Sequence, residues 1–445
     1  MRDAGAARCF ALQLGEESMS KSLLRAALVA CLPFYAMALT VATMPAQAAD
    51  KEKADTPRPS KSIAKPISEC KKALDAKDYP TAIAQCSEAK SKPDLTDYDN
   101  YLINRFLGVA YYQTNDRVKA GEAFTAVVKN PATPAEDRAG MLGAAIQLAA
   151  DANRGDEVAE LAKIAIDSKT TNPDLFAPIA QYYYGKNDTA NTILYAQKGI
   201  DLATAEGKVP QYGLYQLLTF SYDKAKDRAN EIKGLTMMAR DYGKAEDWKY
   251  LLDFSLEFLP KGNKNAAAIA ALDIYRLRLL VGADWSSSNF LEAADAADSV
   301  KVFGDERTFL QMGIQKGVFN QAKVGALVAK NNADAKKDEP VLPQIEKMAK
   351  DGKALTSVAE AYYGYARYAD AIRAAQNAIK AGGPYVAEAK LVLAMSQTRQ
   401  GDEAGAKQTL TGFTGDPALV RVSELWMTYL TRRPAAPATP AAPAK

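Results

Sequence analysis

Three features of this sequence predict an all-α chain of antiparallel helix pairs: a spaced ladder of small and aromatic residues, its return at near-constant intervals, and the absence of strand-like alternation between copies. The clearest copy is residues 101–131, YLINRFLGVAYYQTNDRVKAGEAFTAVVKNP. Leu107, Gly108 and Tyr111 recur at i, i+1, i+4 on a first helix. Ala120, Phe124 and Val127 recur at i, i+4, i+7 on a second, and Pro131 closes the unit. Small residues at Gly108 and Ala120 let two backbones approach, while Tyr111 and Phe124 fill space toward neighbouring pairs.

The ladder returns as Cys70, Ala73, Ala82, Cys86, Ala89 and as Ala180, Tyr183, Thr192, Ala196, Gly199. Near the end it reads Ala359, Tyr362, Ala371, Ala375, Ala378, then Ala394, Gln397, Ala406, Leu410, Phe413. Anchors keep step: 108 − 70 = 38, 143 − 108 = 35 and 394 − 359 = 35. Turns such as Lys77-Asp78-Tyr79 and Gln400-Gly401-Asp402 fall between the paired helices. This pattern resembles the tetratricopeptide repeat, a helix–turn–helix unit of about 34 residues. The resemblance implies a right-handed superhelical solenoid with a C-terminal capping helix, whose concave face, lined by first helices, binds proteins or peptides.

The N-terminal residues 1–18 match no folded element, and a leader reads from Met19. Lys21 and Arg25 form a positive region, residues 26–42 an apolar one, and Ala46-Gln47-Ala48 a small-x-small site. The run resembles a bacterial secretory signal peptide, which implies cleavage after Ala48 and a periplasmic protein. Membrane association arises only if the leader stays uncleaved or if Cys31, in Leu28-Val29-Ala30-Cys31, is acylated. Residues 49–66 are charged, proline-containing and aperiodic, as expected of a flexible linker.

The repeat region spans 67–432, with clear copies over about 67–203 and 351–416 and a diverged centre, 212–350. In the first pair, 67–76 and 79–90, Cys70 and Cys86 face each other across the hairpin. An oxidising compartment allows a disulfide there; two buried thiols are the alternative. Around Gly143 the register holds, but the helix after residues 153–156 slips. In 212–241, Glu231 stands where a small residue is expected. Helical period continues through 248–259, 265–281 and 287–300. Residues 331–339, NNADAKKDE, followed by Pro340 and Pro343, read as a loop or hinge. Residues 417–432 form the last amphipathic helix, and 433–445, RPAAPATPAAPAK, a disordered tail.

Composition narrows function. Lys and Arg total 56 against 53 acids, a net charge of +3 that makes no case for nucleic acid. Histidine is absent, which removes the usual general base and the commonest metal ligand. Phosphate loops, nucleophile elbows and calcium loops are not found, and no metal or cofactor is expected. Acid pairs such as Glu157/Glu160 and Asp295/Asp298 read as solvated helix faces. The expectation is a non-enzymatic scaffold for protein or peptide partners in cell-envelope assembly or transport. A glycan- or peptidoglycan-binding protein, stacking sugars on some of 22 tyrosines, is the alternative. First-helix residues outside the core ladder are the candidate contacts: Asn104, Arg105, Gln181, Tyr184, Glu360 and Tyr363.

Overall fold

Helix pairs follow one another along the chain in a computed structural model that describes residues 57–260 and 263–432. The leader, the linker up to residue 56 and the Pro/Ala tail lie outside these residues, and so does the reading of Cys31. Over 57–66 the expected flexible linker is corrected, because Ser60 donates to Asp99, Ile63 is buried and a helix begins at Ala64. The chain forms two compact units, one ending at Leu217 and one beginning at Leu218. Among the described residues both are helical, with no strand, and the fold is a succession of antiparallel helix pairs. No helix among them is long and apolar enough to cross a membrane.

Unit 1 pairs α1 (Ala64–Asp75) with α2 (Tyr79–Lys90), α3 (Asp97–Gln113) with α4 (Arg117–Lys129), α5 (Ala135–Asp151) with α6 (Gly155–Asp167), and α7 (Phe176–Gly185) with α8 (Thr189–Ala205). Four of the turns within pairs share one chemistry. Lys77, Asn115, Asn187 and, after α9 (Tyr212–Lys224), Lys226 take left-handed φ values of 59°, 61°, 61° and 56°. An aspartate follows each and caps the second helix: Asp78, Asp116, Asp188 and Asp227 accept from the N–H groups of Thr81, Lys119, Asn191 and Asn230. Each cap satisfies a donor that the helix cannot and contributes about 1 kcal/mol.

The ladder lies in the core. Cys70, Ala82, Cys86, Ala89, Ala120, Val127, Ala180, Thr192 and Ala196 are fully buried. A Cβ at Gly108 would stand 2.5 Å from Phe124 Cε1, so this glycine is required by the approach of α3 and α4. Cys70 and Cys86 are disulfide-bonded, with Cα atoms 5.4 Å apart. The slip after Gly143 measures three residues. The turn residue before the second helix lies 154 − 143 = 11 positions after its anchor, against 116 − 108 = 8 in the preceding pair, because α5 is longer at its end.

Unit 2 continues from α9, which runs across the boundary, with α10 (Arg228–Tyr242), α11 (Ala245–Glu257), α12 (Lys264–Val281), α13 (Ser287–Ser299), α14 (Phe303–Gln315), α15 (Gln321–Asp338) and α16 (Leu342–Met348). Two regular pairs follow, α17 (Gly352–Gly364) with α18 (Tyr368–Ala381) and α19 (Val386–Arg399) with α20 (Glu403–Leu410). The last helix, α21 (Pro417–Leu430), buries Leu419, Val422, Leu425 and Trp426. It covers α19 and α20, and it also packs on α12 and α10, so it is an internal element of unit 2 as well as its last one.

The expected loop at 331–339 is overturned: residues up to Asp338 continue α15. Asn331, Ala335 and Asp338 recur at helical spacing and turn inward. Asn331 is buried and donates to Phe303 O at 2.9 Å and Glu306 Oε2 at 2.8 Å, Ala335 is buried, and Asp338 accepts from the Tyr365 hydroxyl at 3.0 Å. A polar run can be helical when its inner face is small or hydrogen-bonded; the proline break falls only at Pro340 and Pro343, which open a 3-10 turn and α16. Glu231 keeps its register: four residues past Asp227, it is buried and paired with Arg228.

Candidate functional site

The surface open to a partner can be defined by register. On each first helix the core uses the anchor and its neighbours, so positions three before, one after and four after the anchor form a separate stripe. In α3 these are Arg105, Val109 and Tyr112 (108 − 3, 108 + 1, 108 + 4); in α5, Gly140, Ala144 and Gln147; in α7, Ala177, Gln181 and Tyr184. All nine are exposed or half-buried. Tyr112, at 47% exposure, stands at the step that Tyr184 occupies in α7.

The polar members are held in place. Arg105 Nε lies 3.2 Å from Asp137 Oδ2 on α5, and the same carboxylate oxygen accepts from the Tyr101 hydroxyl. Burial and this bond to Asp137 raise the Tyr101 phenol above its ordinary range. The Arg117 guanidinium sits 5.9 Å from the Tyr112 ring centre. Burial raises the Tyr184 phenol, and Gln181 is exposed. Tyr183, between them, belongs to the core side and stacks on Tyr195 at 5.4 Å. Asn104 does not belong to this surface. It is one step off the stripe, buried, and its amide donates to Asn100 O at 2.8 Å within its own helix.

In unit 2 the equivalent stripe is closed. The positions are Thr356, Glu360 and Tyr363 around Ala359, and Leu391, Met395 and Thr398 around Ala394; all six are buried. Glu360 and Tyr363, expected as open contacts, are therefore interior residues. The residue that reaches them is Arg276 of α12. Its Nη1 donates to Glu360 Oε2 at 2.6 Å and to Asp273 Oδ1 at 2.7 Å, its Nη2 to Asp305 Oδ2 of α14 at 2.6 Å, and its guanidinium lies 4.4 Å from the Tyr363 ring centre. Trp426 Nε1 of α21 points to Asp273 O at 3.4 Å.

One guanidinium faces three carboxylates here. Burial works against the charge on Arg276, but Asp305, Glu360 and Asp273 outweigh it and hold the cation firmly charged. Burial raises the Asp273 and Glu360 carboxyls, against the pull of Arg276. Asp273 Oδ2 and Glu360 Oε1 are buried without a hydrogen-bond partner. The sequence carries a signal for this cluster. The run LDIYRLRLL in α12 is apolar on all sides, so it belongs to a buried helix, and charges inside such a helix must be paired internally.

An open recess of about 630 Å³ lies on the first pair, between Lys65, Glu69 and Lys72 of α1 and Thr81, Gln85 and Glu88 of α2. Its walls are partly self-paired, with Lys72 Nζ 2.9 Å from Glu69 Oε1. Among the described residues no group of His, Cys, Asp and Glu has the arrangement of a metal site.

No family model matches this chain, and no curated protein matches it. Solved structures do. The tetratricopeptide-repeat domain of P58(IPK) is 13% identical, with 83% of this chain and 98% of that one covered and a TM-score of 0.23. Naa15/Naa10 bound to HypK-THB is 11% identical, with 79% and 63% covered and a TM-score of 0.24. At these values the likeness adds nothing to the fold read from the helix pairs themselves.

Proposed function

We propose that this chain is a non-enzymatic scaffold that holds a protein or peptide partner on the first-helix stripe of unit 1. The observation that carries the reading is the contrast in one register: Arg105, Tyr112, Gln181 and Tyr184 are accessible on α3 and α7, while their counterparts in unit 2 are buried. Accessible tyrosines in one register with an arginine held by Asp137 give a partner rigid apolar area together with hydrogen-bonding ends, the composition of energetically dominant contacts. The positive, apolar and small-residue segments from Lys21 to Ala48 support export to the periplasm, and the absence of histidine supports a role without catalysis. A place in envelope assembly or transport is part of the same proposal.

Site-specific photo-crosslinking in cells tests it. A photoreactive residue at Gln181 or Tyr184 is expected to trap a discrete protein adduct that one at Leu194, exposed on the second helix α8, does not. Adducts of equal yield from both faces would remove the stripe as the site. The tyrosines also allow a sugar ligand. Co-sedimentation with purified cell wall that is lost in Tyr184→Ala, without any protein adduct, would replace the scaffold reading with a glycan-binding one.

A further inference from the structure

The Arg276 cluster is the joint by which α12 reaches the rest of unit 2. Arg276 ties α12 to α14 through Asp305 and to α17 through Glu360. At the start of the same helix, Asn263 N donates to Asp416 Oδ2 at 3.0 Å, and Glu388 of α19 is buried, with Asp416 and Glu360 close enough for their charges to act on it. Four carboxylates belong to the neighbourhood: Asp273 of α12 itself, Asp305 and Glu360, which meet it at Arg276, and Glu388, which acts on Glu360 through its charge. Only Arg276 bonds the first three. The other charged groups nearby are Asp416 before α21, which adds negative charge beside Glu388, and Lys353 of α17 and Arg399 of α19, which act on Glu388 and Tyr363. The α21 helix presents an indole, Trp426.

Fully ionised, Asp273, Asp305 and Glu360 would leave an excess of negative charge inside the protein, with two carboxylate oxygens unbonded. Such an arrangement is strongly unfavourable, and a proton is the smallest compensation for it. We propose that the carboxylates around Arg276 form a proton-operated latch, which ties α12 to α14 and α17 while it holds a proton and exposes Glu360 and Tyr363 when that proton passes to solvent. Protonation turns an unpaired acceptor oxygen into a donor and lowers the repulsion among the acids. Its loss restores both costs, and opening the joint lets water relieve them. Glu388 adds to this repulsion when it ionises: its own carboxyl is pushed up to about 7 by burial first and by Glu360 and Asp416 second, so a further negative charge acting on Glu360 appears near neutrality. The opened stripe on α17 would then match in register the open stripe of unit 1. The latch does not depend on whether unit 1 binds a partner.

Amide hydrogen exchange on the full chain, corrected for intrinsic rates between about pH 5 and about pH 8, tests the latch. Protection in α12 and α17 is expected to fall as pH rises, by up to about tenfold per pH unit for each proton released, while α3 and α4 of unit 1 hold theirs. Glu388→Gln, which cannot ionise, is expected to flatten the fall near neutrality. A pH-independent α12, a loss shared equally by α13, or an unchanged slope in Glu388→Gln would overturn the proposal. If that variant does not fold, the wild-type profile decides alone: a fall confined to α12, α14 and α17 supports the latch, and a flat or evenly spread one ends it.

Discussion

Arg276 Nη1 donates to Glu360 Oε2 at 2.6 Å, joining positions 84 residues apart through two side chains that are almost completely buried. The contact replaces, in unit 2, the solvent that covers the corresponding positions of α3 and α7 in unit 1. A repeat surface expected to be open along the whole chain is consumed internally in its second half.

Removing one partner of this group should be costly, because the others remain buried and charged. Arg276→Met strands three carboxylates and is expected to destabilise unit 2 by about 3–5 kcal/mol, whereas Glu360→Gln relieves repulsion and costs less. Urea unfolding followed by tryptophan fluorescence reads unit 2 selectively, since Trp248, Trp285 and Trp426 are the only tryptophans and all lie there. Equal losses in the two variants would mean that the acids do not repel.

The first pair is held by the Cys70–Cys86 bond, which closes a sequence separation of 16. Both sulfurs are fully buried, and α1 and α2 have a neighbouring pair on one side only among the described residues. Reduction is expected to cost about 3 kcal/mol on the chain-entropy view. The loss should appear as faster amide exchange over 64–90, with α7 and α8 unchanged. No change in that segment with the bond verified as reduced would show that packing alone holds the hairpin.

At Gly108 the limit is space. Gly108→Ala places a methyl 2.5 Å from Phe124 Cε1, and the ring must move or the two helices separate. A loss of about 1–3 kcal/mol is expected, and Phe124→Leu in the same chain should recover part of it. Thermal melts of the double-mutant cycle measure the coupling; strictly additive losses would place the strain elsewhere.

The features behind these last two predictions are legible in the sequence because they are local. The Gly108–Phe124 contact and the Cys70–Cys86 pair each span 16 positions, the aspartate turns fewer, and their periodicity is visible in the chain. The same periodicity puts Arg105 on the open stripe, while Asn104, its neighbour, lies about 100° round the helix and is buried. Glu360 and Tyr363 escape it for a different reason: their cover comes from Arg276 and Asp305, residues of a diverged region with no repeat register to extrapolate. In the run 331–339 polar composition points to a loop and hides a helical period. Asn331 and Asp338 are polar residues used inward, which only their partners Glu306 and Tyr365 make evident.

Two buried carboxyls, Asp99 in unit 1 and Glu388 in unit 2, should respond to pH in opposite senses. In unit 1, burial disfavours the Asp99 carboxylate, but hydrogen bonds from Ser60 and Thr96 outweigh it and hold the group below its ordinary 3.8. Ser60 N and Oγ donate at 2.8 and 2.5 Å, and Thr96 N at 3.0 Å. A depressed value means that the folded chain prefers the carboxylate, so this contribution is complete above pH 3.8 and is lost as pH falls through the still lower folded value. In unit 2, Glu388 is raised from 4.5 to about 7, so the folded chain prefers the acid. Its contribution is complete below pH 4.5 and disappears as pH rises through about 7. Glu388→Gln should therefore stabilise unit 2 by about 2–3 kcal/mol above neutrality and change little near pH 4.5. Asp99→Asn should weaken the start of α3 at neutral pH and lose that effect in acid. Urea midpoints by tryptophan fluorescence across pH measure the first, and amide exchange in α3 measures the second. A Glu388→Gln midpoint that tracks the wild type at every pH would show that this carboxyl is ionised in the folded chain at neutrality.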